Sequence, residues 1–98
     1  MTVRDNADEL RYELVDDDGT VVGQIRYRRE PGAIALVHTE IDPAHEGRGL
    51  GSVLVQSALD DLRERDLKLI PICPYVRTWL GRHPEYGDLV VDDPATPD

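Results

Sequence analysis

Three glycines at alternate positions, Gly47, Gly49 and Gly51, fall between a strand-like segment and an amphipathic one. From Leu50 the apolar residues Leu50, Val53, Leu54, Ala58 and Leu62 recur at i, i+3, i+4 spacing. That spacing predicts a helix running to about Arg65. Glycine lets a backbone turn tightly and bring successive N–H groups toward a ligand. The start of a helix adds a partial positive charge. The stretch Glu46-Gly47-Arg48-Gly49-Leu50-Gly51-Ser52 therefore reads as a pyrophosphate-binding loop, with Arg48 as a salt partner; the plainer reading is a flexible helix entry. A Walker A loop would end in Gly-Lys-Ser/Thr, and there is no Lys here. A dinucleotide-binding fold needs Gly-x-Gly-x-x-Gly after the first strand of a parallel sheet, in a chain longer than these 98 residues.

The flanking segments say what the loop is attached to. Residues 1–9 read as a flexible lead-in. Residues 10–15 alternate apolar and charged, as a half-buried strand does. Asp16-Asp17-Asp18-Gly19 is a turn. A second strand spans 20–29, where Gly23 suggests a bulge. Residues 34–41 form a third strand, ended by Asp42-Pro43. After the helix, residues 67–73 form a nearly continuous apolar strand, in which Pro71 suggests an edge or a splayed end. Pro74 can open a short helix over 75–82, with Val76, Trp79 and Leu80 as its apolar face. Residues 86–91 read as a last short strand, and 92–98 as a disordered acidic tail. Length and composition, 40% apolar and 32% charged, fit one globular domain. The order predicts an α+β fold: a helical layer on a mixed sheet, with one domain over 10–91.

Charge narrows the partners. The net charge is −9, with −5 in residues 1–18, −3 in 92–98 and −1 in between. No basic stripe exists to meet a nucleic-acid backbone. The single cysteine, Cys73, excludes an internal disulfide and multi-cysteine zinc motifs. His38, His45, Cys73 and His83 lack metal-ligand spacing, so no metal site is expected. No apolar run is long enough to span a bilayer and the first residues do not resemble a signal peptide, so a cytoplasmic protein is expected.

The strand, Pro43, Glu46-x-x-Gly49-x-Gly51 and the amphipathic helix resemble the Gln/Arg-x-x-Gly-x-Gly/Ala signature of the GNAT N-acetyltransferase superfamily. Four blocks in order also resemble its small stand-alone YjdJ-type members: His38-Thr39-Glu40-Ile41, Gly47 to Ser52, Ile70-Pro71-Ile72-Cys73-Pro74-Tyr75 and Arg82-His83-Pro84-Glu85-Tyr86. The resemblance implies a minimal GNAT fold with two helices, its sheet splayed between the third and fourth of the strands above. It implies acetyl-CoA or coenzyme A as cofactor. Thr39 and Ile41 would pair with pantetheine, and Gly47, Arg48, Gly49, Leu50, Gly51 and Ser52 would meet the phosphates. The thioester would lie near Glu40 and Cys73. The chain departs from the family in three places. Glu46 stands where Gln or Arg is preferred. Leu80 occupies the position of a frequent tyrosine acid. The 16–19 turn replaces two helices, leaving the acceptor pocket missing, open or built by a partner.

Acetyl transfer to an amine needs a base, an acid for the leaving thiolate and donors for the oxyanion. Glu40 and His38 lie two apart on one strand and share a face, so either could be the base. The plainer alternatives are an exposed strand carboxylate and a core histidine. Cys73, just before a helix, could take the acetyl group or merely line the thiol pocket. Tyr75 and His83 are candidate acids, more readily explained by packing. The expected function is a small acetyl-CoA-dependent N-acetyltransferase acting on an unidentified amine, a small molecule or a peptide. The alternative is an acyl-CoA-binding or sensor module without its own acceptor site. The sheet's edges would allow a homodimer.

Overall fold

The computed structural model describes residues 1–92. Five strands, β1 (Thr2–Asn6), β2 (Arg11–Val15), β3 (Val21–Glu30), β4 (Ala33–Ile41) and β5 (Lys68–Pro71), lie in that order in one sheet. The first three neighbouring pairs are antiparallel and β4–β5 is parallel. A parallel pair needs a crossover, and α1 (Leu50–Glu64) supplies it. Helix α2 (Pro74–Gly81) follows β5. This is the mixed α+β sheet with two helices that the sequence implies.

Both helices pack on the same face of the sheet. Tyr12, Leu14, Ile25, Tyr27 and Leu36 from the strands bury against Leu54, Val55, Leu59 and Leu62 of α1 and Val76 and Trp79 of α2. The other face carries only a small cluster of Ala33, Ala35 and Ile70 with Ile72, and no helix among the described residues covers it. Glu13 lies on this open side and is still 1% exposed. Arg4 Nε donates to its Oε1 at 2.8 Å, and Arg11 Nε and Asn6 Nδ2 donate to its Oε2 at 2.6 and 3.2 Å. Burial opposes ionisation, but the hydrogen bonds from Arg4, Arg11 and Asn6 outweigh it and hold the carboxyl below its usual range.

Several boundaries differ from the sequence reading. Residues 1–9 are not a lead-in: Thr2–Asn6 is the edge strand, anchored where Tyr27 Oη donates to Asp5 Oδ1 at 2.6 Å and Arg65 to Asp5 Oδ2 at 3.0 Å. The second strand starts at Arg11 because Leu10 has φ +54°, outside strand geometry. The fourth strand of the sequence reading stops at Pro71. Residues 86–91 are not a strand. Pro84–Leu89 is a 3₁₀ turn, held where Tyr86 Oη donates to Asp60 Oδ1 at 2.6 Å, and Val90 makes a single bridge to Leu69. The acidic-tail reading falls, beyond Asp92, outside the described residues.

Two pH limits follow. Glu13 titrates below its unfolded value of about 4.3, so its contribution is whole above that pH and is lost as pH falls below it. Tyr12 and Tyr27 are pushed up chiefly by burial, and Tyr86 chiefly by its bond to Asp60. Their contribution is whole below the unfolded phenol value of about 10 and is lost as pH rises above it. Thermal melts across pH should show both limbs. Glu13→Gln should flatten the acid limb and cost about 1–3 kcal/mol at neutral pH, the worth of hydrogen bonds to a charged group. An unchanged acid limb in that variant would contradict the assignment.

Candidate functional site

The site begins with a bulge in β4. Arg26 pairs with His38, but Tyr27 pairs with Leu36, leaving Val37 as an extra residue. Before the bulge, Ile34 and Leu36 face the helices. The extra residue shifts the alternation by one. Thr39 and Ile41 then turn to the helix side, and His38 and Glu40 to the open side. Beyond Leu36 the strand also leaves β5. The last β4–β5 pair is Leu36 with Pro71, and both Ile72 N and Cys73 N donate to Leu36 O, at 3.1 and 2.9 Å. Among the described residues, 37–41 therefore have no strand partner on the β5 side.

A cavity of about 390 Å³ lies where the strands part. Thr39 and Ile41 of β4 form one wall, His45, Glu46, Gly47 and Gly49 the loop side, Leu50 and Gly51 the first turn of α1, and Tyr75 of α2 the rim. The loop is structured at its start. Asp42 Oδ1 accepts from Ala44 N at 3.0 Å, and Asp42 O accepts from His45 N at 2.8 Å. Gly49 is the N-cap of α1 at φ +72°, with no side-chain capping bond. The first N–H groups of the helix are thus left for another acceptor. A Cβ on Gly49 would meet nothing within 4 Å, so the left-handed backbone is what requires glycine there. Gly51 differs: a Cβ would come within 2.5 Å of Tyr75 Oη. Glycine loop, uncapped helix start and open space fit a phosphate-bearing ligand.

Of the residues expected to bind cofactor, Thr39, Ile41, Gly47, Gly49, Leu50 and Gly51 line this cavity. Arg48 is exposed and does not line it. Ser52 does not either: its Oγ accepts from Trp79 Nε1 at 2.8 Å, tying α1 to α2. His38 Nε2 lies 2.9 Å from Glu40 Oε1, and their side chains are 57% and 58% exposed. His38 is therefore not a core histidine. Cys73 lies apart from this pair, on the helix side. It is 3% exposed, with its Sγ 3.4 Å from Thr39 Oγ1. The bulge separates the candidates, and no single-sequence signal marks Val37 as the extra residue. The sequence points to Tyr75 only as a candidate acid and does not point to His45 as a cavity residue. Their closeness to the loop and to the Pro74 helix start was the available signal.

The family described as GCN5-related N-acetyl-transferase matches residues 11–89. YxbD, an uncharacterized protein of Bacillus subtilis (strain 168), is 35% identical over 68 residues, 68% of this chain and 42% of that protein. Protein NATD1 of Homo sapiens is 37% identical over 51 residues, 52% of this chain and 45% of that protein. The chain thus spans about half the length of the curated relatives it matches. In structure it is similar to a GCN5-like protein from Staphylococcus aureus, with a TM-score of 0.69 and 23% identity over 96% of this chain and 91% of that one. It is also similar to ribosomal-protein-alanine N-acetyltransferase from Brucella melitensis biovar Abortus 2308, with a TM-score of 0.53 and 21% identity over 90% and 69%. These two likenesses show the fold.

The two glycines should respond differently to alanine. Gly49→Ala should lower the melting temperature, since a left-handed alanine costs about 1–2 kcal/mol, and leave the Tyr75 ring signals in place. Gly51→Ala should move those signals while gaining up to about 1 kcal/mol of helix propensity. NMR and thermal melts of both variants check this; unmoved Tyr75 signals in Gly51→Ala would contradict the packing described.

Proposed function

The chain belongs to the GCN5-related N-acetyltransferase family, and from that premise we propose that it is an acetyl-CoA-dependent acyltransferase that moves an acetyl group to an amine. The observation that carries the reading is the cavity at the parting of β4 and β5, walled by the glycine loop and the uncapped start of α1. Acetyl-CoA, when bound, supplies the acyl group as an activated thioester. The backbone N–H groups of the loop and of the first turn of α1 hold the phosphate charge. The unpaired edge of β4 at Thr39 and Ile41 offers hydrogen-bonding groups to an extended, amide-bearing arm.

Glu40 and His38 stand on the open side, where an amine can approach the parted edge. Glu40 takes a proton from the incoming ammonium, and His38, bonded to it, passes the proton on to solvent. As the new C–N bond forms and the C–S bond breaks, the departing sulfur must be protonated. That proton is the second one the amine nitrogen gives up, and Thr39 Oγ1, a hydroxyl on the cavity side of β4 that lies 3.4 Å from Cys73 Sγ, would hydrogen-bond the sulfur and relay it. Cys73, buried in the core cluster and not part of the cavity wall, does not carry the acyl group. The carboxylate of Glu40 on an otherwise uncovered sheet face favours a cationic amine, on a small molecule or a peptide.

Thiol release from acetyl-CoA, followed with a panel of primary amines, tests this. Glu40→Gln should lower turnover by about 10²–10⁴-fold while leaving coenzyme A binding unchanged. Gly49→Glu should abolish that binding by placing a carboxylate at the phosphate position. Intact mass after incubation with acetyl-CoA should show no acetyl group on Cys73. Binding without thiol release for any amine would instead favour a module that senses acyl-CoA, as the uncovered acceptor face allows.

A further inference from the structure

We propose that His45 is a cofactor-binding residue, its Nδ1 donating a hydrogen bond to a phosphate oxygen of the ligand held in the loop cavity. The inference rests on the proposed reading of that cavity as a coenzyme A site. Among the described residues, His45 Nδ1 is the one buried side-chain nitrogen or oxygen without a hydrogen-bond partner. A buried polar atom left unpaired destabilises the folded chain unless a missing partner completes it. Here His45 is one of the residues that line the cavity.

Its position is not accidental to a loose loop. His45 closes the 3₁₀ turn Pro43–His45, its backbone N–H bonded to Asp42 O at 2.8 Å and the turn capped by the Asp42 side chain. The ring is therefore presented from a fixed turn directly before the glycines. The neighbouring side chains sharpen the case. Glu46, beside it in the cavity wall, is a carboxylate and repels an anion. Arg48 does not line the cavity. Of the side chains that the loop contributes to the wall, His45 alone carries an N–H donor. In this chain the imidazole supplies the side-chain contact to phosphate that Glu46 cannot make.

Calorimetric titration with coenzyme A compares the native chain with two variants. His45→Phe keeps an aromatic ring without the donor and should weaken binding about tenfold or more, the effect of losing a hydrogen bond to a charged acceptor. His45→Asn places an amide N–H near the position of Nδ1 and should restore most of the affinity. In the native chain, the ¹⁵N resonance of His45 Nδ1 should move on addition of coenzyme A and stay unmoved with pantetheine, which lacks the phosphates. Equal affinity in His45→Phe, or an Nδ1 resonance indifferent to coenzyme A, would overturn the proposal, and the resonance decides even if a variant misfolds. A resonance that pantetheine moves as far would overturn the phosphate assignment. A native chain that binds no coenzyme A at millimolar concentration would instead remove the reading of the cavity on which the proposal stands.

Discussion

One carbonyl oxygen, that of Leu36, receives both Ile72 N and Cys73 N, and this double bond to a single acceptor ends the pairing of β4 with β5. Lys68 N and Ile72 N reach β4, at Gly32 O and Leu36 O, so the Pro71 nitrogen faces the other edge of β5, where a missing N–H breaks no bond to β4. Beyond that point β4 continues to Ile41 while the other chain turns away into α2. The extra residue Val37 sits just past Leu36 and reverses which side chains face the helices. A parted edge and a reversed alternation, within two residues of each other, produce the cavity wall of Thr39 and Ile41 and the opposite pair of His38 and Glu40. Without the bulge, His38 and Glu40 would continue the row of Ile34 and Leu36 into the core.

The helices are fixed against this strand by contacts that double as walls of the site. Trp79 buries against the sheet and ties its indole N–H to Ser52, one residue beyond Gly51. His83 stacks on Trp79 with ring centres 3.8 Å apart. Tyr75, on the same short helix, lies over Gly51 and closes the cavity rim. Two tyrosine–aspartate bonds, Tyr12–Asp61 and Tyr86–Asp60, clamp α1 to β2 and to the chain that follows α2, and a third, Tyr27–Asp5, ties β3 to β1. The open face relies on charge instead. Glu13 is shielded by Arg4 and Arg11, whose long side chains cover what a helix covers on the other face.

Much of this was legible in the sequence, and the failures have physical causes. Helix α1 was readable because its apolar spacing is sustained and its entry is marked by glycines. The mixed sheet followed from element order, and its opening after Pro71 from a proline that marks an edge or splayed end. Strand β1 was not readable. Its residues Arg4, Asp5 and Asn6 look like solvated lead-in, and they become strand only through partners far along the chain, Glu13, Tyr27 and Arg65. Residues 86–91 read as a strand because Tyr86, Leu89 and Val90 are apolar, whereas Tyr86 is held by Asp60 and Trp79 in the 84–89 turn. In the site, the glycines were legible because their backbone requirement is local. The opposed placement of Cys73 and Glu40 was not, because it depends on a one-residue slip between two strands.

The parted edge and the glycine loop must form one binding surface for coenzyme A to be held as proposed. Amide chemical-shift mapping of the ¹⁵N-labelled chain during titration with coenzyme A tests this most directly. It should move the amides of residues 47–52 together with those of Thr39 and Ile41, and leave the open-face amides of Arg11, Glu13 and Arg26 in place. Shifts confined to the open face, or none at millimolar ligand, would contradict it.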